Sequence, residues 1–445
     1  MNISQFLSED LSDYASYSTL RMLGNMIDGQ KNSTRKTLFT VLDKNINKEI
    51  KVSQLASKIA EHSEYLHGEV SLQGVVVNAA QDFTGTNNIN LLTPEGNFGT
   101  RFTPEASAPR YIYTHGNDNL WRLFNKNDTP ILIHQEFEGH KIEPMFYVPT
   151  LPMILVNGSE GIASGFAQKI LPRDPKKIMN YIKDKLNDSL RANRHNSLHP
   201  YYKGFKGNII SLGDNQYEIT GIINKLTGTK IEISEIPIGY SLKGYIKVLD
   251  KLEDEGFIVS YQDLSEDDNF KFIVNIKRDI LSSYTDDKLL DKLKLIKRVT
   301  ENLTAINEEN KVQVFDSVKD IIDQYYDVKI EYLQKRKDYL IKKLSDEIRV
   351  NISKYLFIKA ITDNELIINK RKKEDIVKDL NGYPKIIQVD DSYDYLLNMN
   401  LMSLTKERMD KLMQQIKDLK AELDLIKSQS PEQMWLSDLG EIKDI

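Results

Sequence analysis

Cysteine is absent from the 445-residue sequence. This excludes disulfide bonds, thiol catalysis and thiolate metal sites, and it agrees with a reducing compartment. No apolar run approaches the roughly 20 residues that a membrane helix needs, and the opening MNISQFLSEDLSDYA has neither a basic leader nor an apolar stretch. We therefore expect a cytoplasmic protein without a membrane partner.

Several common catalytic motifs are also missing. The sequence has no GxxxxGK[ST] phosphate loop, no GxGxxG fingerprint and no GxSxG elbow. Nucleotide hydrolysis, dinucleotide binding and serine hydrolysis by this chain are therefore not expected. His62 and His67 are five residues apart with a turn between them, so the two rings point in different directions and no metal site is expected there.

The sequence has little excess charge of either sign, with 60 Lys and Arg against 65 Asp and Glu and a net charge of -5. This argues against a surface that coats nucleic acid throughout, because Lys and Arg dominate phosphate binding. The stretch 31–51 is locally basic, with six basic residues against two acidic ones. Its charge can steer a polyanion, and a solvated helix face is the alternative interpretation.

The chain is too long for one hydrophobic core, and its pattern of apolar and polar residues changes twice along the sequence. Residues up to about 155 favour short helices joined by turns. Within them, 54–62 and 69–81 carry apolar residues at helical spacing around a glycine-containing turn, which is typical of a helix-turn-helix. From 207 to 279, alternating β-branched and polar residues predict a mixed α/β domain, with the acidic stretch 253–268 at an exposed edge.

The last third favours long helices. Apolar and aromatic residues recur at spacings of mostly three and four from Val318 to Tyr339, and of three and four from Met409 to Ile426, which is typical of heptad seams. The intervening residues 362–400 contain Gly382 and Pro384 and cannot continue either helix. We expect two antiparallel helices with a small globular tip at about 362–402, and plain core helices are the alternative.

Five fragments carry glycines or basic residues, which suit a close approach of backbone to phosphate. They are MIDGQKNSTRKTL at 26–38, YLHGEVSLQG at 65–74, LLTPEGNFGTRF at 91–102, SAPRYIY at 107–113 and PTLPMILVNGSEGIASGF at 149–166. Tyr111, in the fourth fragment, is one of 22 tyrosines. On residue type alone, a buried core tyrosine is the simpler interpretation.

In this order, the fragments resemble the breakage-reunion subunits of type IIA topoisomerases, the family that includes the A subunits of gyrase and topoisomerase IV. Within it, the likeness is greatest to the medium subunit of the three-gene topoisomerases of large tailed phages. It covers essentially the whole chain, through SEIPIGY and LTAINEENKVQVFDSVKDII. It implies an α+β multidomain protein, mainly α, with three parts: a winged-helix (helix-turn-helix) DNA-binding domain with the catalytic tyrosine at 1–155, an α/β tower domain at 156–312, and a long antiparallel coiled coil with a dimerisation tip at 313–445.

The resemblance implies that Tyr111 is the nucleophile and that Arg110 supports it. Phenols are mostly protonated at neutral pH, so attack on phosphorus requires neighbours that favour the phenolate and stabilise the oxyanion. Ile162 matches the position whose side chain wedges between base pairs, and a buried loop anchor is the alternative. The resemblance also assigns five residues to DNA binding or transition-state support: Arg21, Lys31, Arg35, Lys36 and His67.

The sequence departs from the family pattern at several positions, and TPEGNFG at 93–99 stands where DGQGNFG is usual, with Gly96 kept. Thr34 stands where the basic helix usually has a histidine. Val70 and Gly74 stand where members sensitive to quinolones commonly carry a serine and an acidic residue. The resemblance therefore implies a weak response to these drugs.

The resemblance implies partners and cofactors as well. They are double-stranded DNA, a homodimer, and Mg2+ and ATP held by separate subunits with the metal-binding (TOPRIM) and ATPase domains, which have no counterpart in this sequence. The implied function is ATP-dependent relaxation and decatenation through transient double-strand breaks and 5′-phosphotyrosyl links, in the nucleoid or in a phage host's cytoplasm. The alternatives are a non-enzymatic helix-turn-helix DNA-binding protein with a coiled-coil stalk, and a coiled-coil scaffold.

Overall fold

The structure is a computed structural model and describes residues 10–187, 198–400 and 404–443. It divides into two compact units, one made of Met1–Lys329 with Leu436–Ile445 and the other of Ile330–Trp435. In the described ranges, no helix has both the length and the apolar character that crossing a membrane requires. The three-part division predicted from the resemblance stays a prediction, and its boundary residues 1, 402 and 445 lie outside the described residues.

The first unit opens with helices and a small sheet. The helices are α1 (Asp10–Met22), α2 (Asn32–Asp43), α3 (Val52–His62) and α4 (Glu69–Ala80), and the strands are β1 (Ile50–Lys51), β2 (Leu92–Glu95) and β3 (Tyr113–Gly116). The strands form an antiparallel sheet in the order β1-β3-β2. The two predicted helices at 54–62 and 69–81 are confirmed. The strands were not predicted, because runs of two to four residues carry no recognisable alternation.

Short elements follow in the same unit. They are α5 (Asp118–Leu123), a 3-10 helix (Lys126–Ile131), a hairpin of β4 (His134–Phe137) and β5 (His140–Pro144), α6 (Met153–Val156), a second hairpin of β6 (Ser159–Ala163) and β7 (Phe166–Ile170), and α7 (Pro175–Leu186). The Asp174 side chain caps α7 by accepting from the Lys176 N–H, and Pro175 fits the first helical position.

Two antiparallel sheets make up the middle of the chain. They confirm the prediction that residues 207–279 contain strands of a mixed α/β domain. One has β8 (Asn208–Gly213), β9 (Gln216–Thr220) and β14 (Ile296–Thr300), in the order β14-β9-β8. The other has β10 (Ile222–Thr227), β11 (Lys230–Glu235), β12 (Ser260–Asp263) and β13 (Phe272–Asn275), in the order β10-β11-β13-β12. Because β12 is an edge strand, the prediction that 253–268 lies at an exposed edge is confirmed.

Helices cover the four-stranded sheet, and a short hairpin follows. The helices are α8 (Leu242–Asp254), α9 (Arg278–Ser283) and α10 (Asp286–Lys292), and the hairpin pairs β15 (Thr304–Ile306) with β16 (Val312–Val314). The core contains Ile231 and Ile233 of β11, Phe272 and Val274 of β13 and Leu249 of α8. Alternate residues of each strand therefore face the helices, as the period of two requires.

The second unit is built on two long helices, as predicted. They are the part of α11 (Val318–Thr362) from Ile330 onward and α14 (Lys406–Ser428), with α12 (Lys373–Leu380) and α13 (Asp394–Leu397) between them. The last helix, α15 (Pro431–Glu441), begins in the second unit and ends in the first. Within this unit the long helices share an apolar cluster that includes Leu344, Ile348, Ile416 and Leu423. Lys337 donates to the carbonyl at 429, just beyond the end of α14, at 2.6 Å. The helices therefore run antiparallel.

The predicted seam on α11 is wrong over its first half. Ile321 and Tyr325 are fully buried within the first unit, where the Tyr325 hydroxyl donates to the Pro149 carbonyl. Any buried helix face gives spacings of three and four, so periodicity alone did not identify what this face packs against. The segment between the long helices forms a core with the end of α11, with Phe357 of α11 and Leu366 and Leu380 of the segment among its members, which agrees with a globular tip.

Candidate active site

Tyr111 lies in an exposed turn that is anchored to the start of α3. The N–H groups of Val52 and Ser53 donate to the carbonyls of Ile112 at 3.0 Å and Pro109 at 3.1 Å. N–H groups in a first helical turn have no partner inside their own helix. The first turn of α3 is thus completed by the segment 109–112, which fixes the backbone on both sides of Tyr111.

The Tyr111 side chain points to the surface while its neighbour points inward. Tyr111 is 70% exposed and Ile112 is 1% exposed. Ile112 packs on Gly96, which has a φ of +102°, and a Cβ at Gly96 would lie 3.2 Å from Ile112 Cγ2. Glycine at 96 therefore allows both the left-handed backbone and the close contact. The interpretation of Tyr111 as a core tyrosine is wrong.

Two cations accompany two tyrosines on this surface. The Arg110 guanidinium carbon lies 5.2 Å from the centre of the Tyr111 ring, and Lys51 Nζ lies 6.0 Å from the centre of the Tyr113 ring. We call Lys51, Arg110, Tyr111 and Tyr113 the Tyr111 surface. Cations beside aromatic rings suit contact with a phosphodiester backbone and its sugars. Sequence analysis did not identify Lys51 and Tyr113 as members of this surface.

Ile162 lies at the exposed end of the β6–β7 hairpin and is 76% exposed. On the inner side, Gln168 accepts from the Gly24 N–H at 2.8 Å and donates to the Gly24 carbonyl at 3.1 Å. Gly161 lies so close to the chain after α1 that a Cβ there would be 2.2 Å from the Met22 carbonyl oxygen. The hairpin is thus fixed to this segment while Ile162 projects from it, and the alternative of a buried loop anchor is wrong.

Lys31 joins α2 to the same hairpin. Its Nζ donates to the Glu160 carbonyl at 2.6 Å. Burial lowers the pKa of Lys31, and the charge of Glu160 partly opposes this shift. Lys31 therefore lies close to Ile162 with its cation held at the hairpin.

His67 and Arg21 both lie at α1. His67 Nε2 and the Tyr17 hydroxyl are 2.9 Å apart, and the His67 ring meets the Tyr65 ring edge-on at 5.4 Å. Tyr17 and Arg21 are four residues apart on α1 and so share one side of it. The structure thus brings four predicted site residues to α1 and its adjoining hairpin. We call them the Ile162 surface: Arg21, Lys31, His67 and Ile162.

Arg35 and Lys36 belong to neither surface, because both are buried, each with 7% of its surface exposed. Arg35 pairs with Asp28 through Nε at 2.7 Å and Nη2 at 3.1 Å. Lys36 pairs with Glu143 at 2.9 Å. The resemblance implies that these two residues contact phosphate or support the transition state. In the structure, carboxylates inside the protein already accept hydrogen bonds from both side chains. No local pattern indicates this, because the acidic partners are distant or lie in a turn.

The family model that describes the DNA gyrase/topoisomerase IV A subunit matches residues 21–440. The chain belongs to this family. It is 35% identical over 450 residues to the mitochondrial DNA topoisomerase 2 of Dictyostelium discoideum, covering 99% of this chain and 35% of the relative. It is 36% identical over 479 residues to DNA topoisomerase 2 of Plasmodium falciparum (isolate K1 / Thailand), covering 99% of this chain and 34% of the relative.

A solved structure shares the fold. It is the crystal structure of the DNA-binding, cleavage and re-ligation domain of Plasmodium falciparum topoisomerase II, with a TM-score of 0.89 and 37% identity. The match covers 98% of this chain and 63% of that one. The resemblance inferred from the sequence is therefore confirmed at the level of the family. The chain spans about a third of the length of the curated relatives that it matches, and its likeness to a phage subunit stays a prediction.

Proposed function

We propose that this chain is the DNA-cleaving and religating part of a type II topoisomerase, an isomerase that relaxes and decatenates DNA through transient double-strand breaks. The observation that carries the proposal is the exposed Tyr111 ring beside Arg110, held by the first turn of α3. The family and the solved domain described above support it. They favour an enzyme over a helix-turn-helix protein that only binds DNA.

The chemistry assigned to Tyr111 is an exchange of phosphodiesters. The Tyr111 oxygen attacks phosphorus, the new oxygen–phosphorus bond forms, and the bond from phosphorus to the 3′ oxygen breaks. The phenol loses its proton and the 3′ oxygen gains one, which leaves a 5′-phosphotyrosyl ester and a 3′ hydroxyl. Because one phosphodiester replaces another, resealing is the reverse reaction and needs no ATP. Arg110 is placed to neutralise charge that develops on the phosphoryl oxygens.

Mg2+ and ATP are the cofactors expected of such an enzyme, and Mg2+ at the scissile phosphate supplies Lewis-acid stabilisation. Among the described residues, no three His, Asp or Glu side chains come together as a metal site. The described residues therefore offer no three-ligand metal site, and one or two of their carboxylates would hold Mg2+ only together with ligands from elsewhere. We propose that Mg2+ and ATP bind outside these 445 residues, in a separate subunit with TOPRIM and ATPase domains or in other parts of one polypeptide.

The finer architecture is proposed on the contacts of each element. The pair α3 and α4, with the sheet β1-β3-β2 beside it, supports a winged helix that presents DNA to Tyr111. The antiparallel pair α11 and α14 supports a coiled coil that carries a dimerisation tip. A homodimer follows from the reaction, because a double-strand break needs two tyrosines and a two-fold dimer supplies them symmetrically.

The Ile162 surface is proposed to bend and hold the duplex. An exposed isoleucine on a rigid hairpin suits insertion between base pairs, with partial unstacking offset by a larger contact area. Lys31 and Arg21 would neutralise phosphates on either side of the wedge. His67 is proposed as a hydrogen-bond donor or proton carrier, since its ring nitrogen lies on this surface beside Tyr17.

Detergent trapping tests the proposal. The chain is combined with the metal- and ATP-binding parts of its enzyme, supercoiled DNA and Mg2+, and the reaction is stopped with detergent. We expect protein on the 5′ ends for the wild type and none for Tyr111→Phe. Tyr113→Phe is the matched control, because Tyr113 lies on the same surface and also loses only a hydroxyl. Adducts that persist in Tyr111→Phe contradict the assignment, and tight binding without any adduct indicates a DNA-binding protein.

A further inference from the structure

Four charged side chains of the first unit are buried and paired with one another. Asp28 accepts from Arg35 with both carboxylate oxygens, and it also accepts from the Tyr147 N–H at 3.0 Å. Lys36 pairs with Glu143 at 2.9 Å. None of the four charged residues is more than 7% exposed. We call Asp28, Arg35, Lys36 and Glu143 the buried charge cluster.

Lys36 has two acceptors inside the protein, on two different elements. Its Nζ donates to Glu143 on β5 and to the Ser63 carbonyl at the end of α3. Reaching a phosphate would require Lys36 to abandon both acceptors and to leave Glu143 as an uncompensated buried carboxylate, since Glu143 Oε1 has no hydrogen-bond partner among the described residues. Such a group is costly to leave unpaired. Lys36 is therefore a structural link and not a phosphate ligand.

The Ser63 carbonyl is a specific point of attachment. Ser63 caps the C-terminus of α3, where the last carbonyls of a helix carry partial negative charge that a cation stabilises. The chain then turns sharply, with Glu64 in the left-handed region at a φ of 49° and the Tyr65 N–H donating to the Ala60 carbonyl at 3.0 Å. His67 follows four residues after Ser63. Fixing Ser63 thus fixes the origin of the loop that presents His67.

We propose that Lys36 and Glu143 are positioning residues that set His67 relative to α2 and the Ile162 surface. The inference rests on the proposed function, because His67 matters only if the chain cleaves DNA. Glu143 neutralises Lys36 and directs its ammonium at Ser63, so loss of either charge releases the loop. The affinity for phosphates is unaffected, because neither side chain reaches the surface.

The test compares three variants in the assembled enzyme, together with His67→Ala alone and combined with the first of them. Glu143→Gln keeps the size of the side chain and removes its charge. The double variant Lys36→Met with Glu143→Leu removes both charges, so that no unpaired ion is left if the single change prevents folding. Lys31→Met is the matched control, because Lys31 belongs to the same helix region and lies on the Ile162 surface. Each is measured for the rate of covalent-complex formation at saturating DNA and for the salt dependence of DNA affinity.

We expect Glu143→Gln and the double variant to slow cleavage by roughly tenfold to a hundredfold, as small misplacements of catalytic groups do. Their plots of log affinity against log salt concentration should keep the wild-type slope. Lys31→Met should make this negative slope shallower by about 0.9, the contribution of one phosphate contact. Adding His67→Ala to Glu143→Gln should cause little further loss, because both changes disable the same group. A general loss of stability would not produce this lack of additivity.

Three results would overturn the proposal. If the salt dependence of DNA affinity in the double variant were shallower by about 0.9, Lys36 would be a phosphate ligand. Wild-type cleavage rates in both the single and the double variant would show that the pair positions nothing. Fully additive losses with His67→Ala would show that the pair acts on another group. If the wild type itself forms no covalent complex, the proposed function fails, and the salt slopes still decide whether Lys36 touches DNA.

Discussion

Gly161→Ala should separate the stability of the chain from the placement of Ile162. The φ of Gly161 lies outside the left-handed region, so alanine can adopt its backbone and space is the only obstacle. A Cβ would lie 2.2 Å from the Met22 carbonyl oxygen and 3.4 Å from Leu23 Cδ2. An ordinary contact with that oxygen requires a shift of about 1 Å between the hairpin and the end of α1. Overpacking of this size costs about 1–3 kcal/mol of unfolding free energy.

The same shift should also slow cleavage by the molecules that remain folded. A displacement of about 1 Å in a positioning element costs on the order of a hundredfold in rate. Unfolding in urea gives the stability, and trapping at saturating DNA gives the cleavage rate. Gly165→Ala is the control: it lies in the same hairpin with a φ of +80° and nothing within 4 Å of its Cβ, so it loses about 1–2 kcal/mol without moving the base of the hairpin. Full cleavage activity in Gly161→Ala, together with the expected loss of stability, would refute the reasoning.

Three further predictions concern single side chains. Ile162→Ala should change the unfolding free energy by no more than about 0.5 kcal/mol, since Ile162 is 76% exposed. It should slow cleavage roughly ten- to a hundredfold, because about 1.5–3 kcal/mol of burial against DNA is lost. A cleavage rate equal to that of the wild type counts against insertion of Ile162 between base pairs. Arg173 and Glu301 form an ion pair at 2.6 Å, and neither side chain has exposed surface. Arg173→Met should therefore lower the free energy of unfolding, measured in urea, by about 3–5 kcal/mol. A loss below about 1 kcal/mol contradicts the buried pairing. Because burial lowers the pKa of Lys31, its charge is lost at a lower pH than that of an exposed lysine. The difference in DNA affinity between the wild type and Lys31→Met should therefore shrink as the pH is raised, before exposed lysines lose their charge, and a constant difference excludes a role for the charge.

The long elements and the order of motifs could be predicted from the sequence, because they depend on periodicity and on ordered fragments. Helical spacing predicted α3 and α4, and the alternation in 207–279 predicted strands with an acidic edge at β12. The exposure of the Tyr111 side chain could not be predicted from its residue type. It depends on Ile112 taking the inward position above Gly96, a contact between segments that no local pattern records.

The buried charge cluster shows why the remaining site residues could not be placed from the sequence. Arg35 and Lys36 stand in a basic run, which favours a surface role on composition alone. Their true environment is set by Asp28 and by Glu143, which lies more than a hundred residues away in the sequence. Pairing over such distances is a property of the folded chain, as is the packing of Tyr325 inside the first unit.

Peptide mapping of the trapped complex tests the central claim most directly. After nuclease digestion and trypsin treatment, cleavage behind Arg110 and Arg122 releases the peptide 111–122, which contains both Tyr111 and Tyr113. The account predicts a nucleotide on this peptide, and fragmentation should assign it to the first residue, Tyr111. A nucleotide on Tyr113, or on any peptide from another part of the chain, would contradict it.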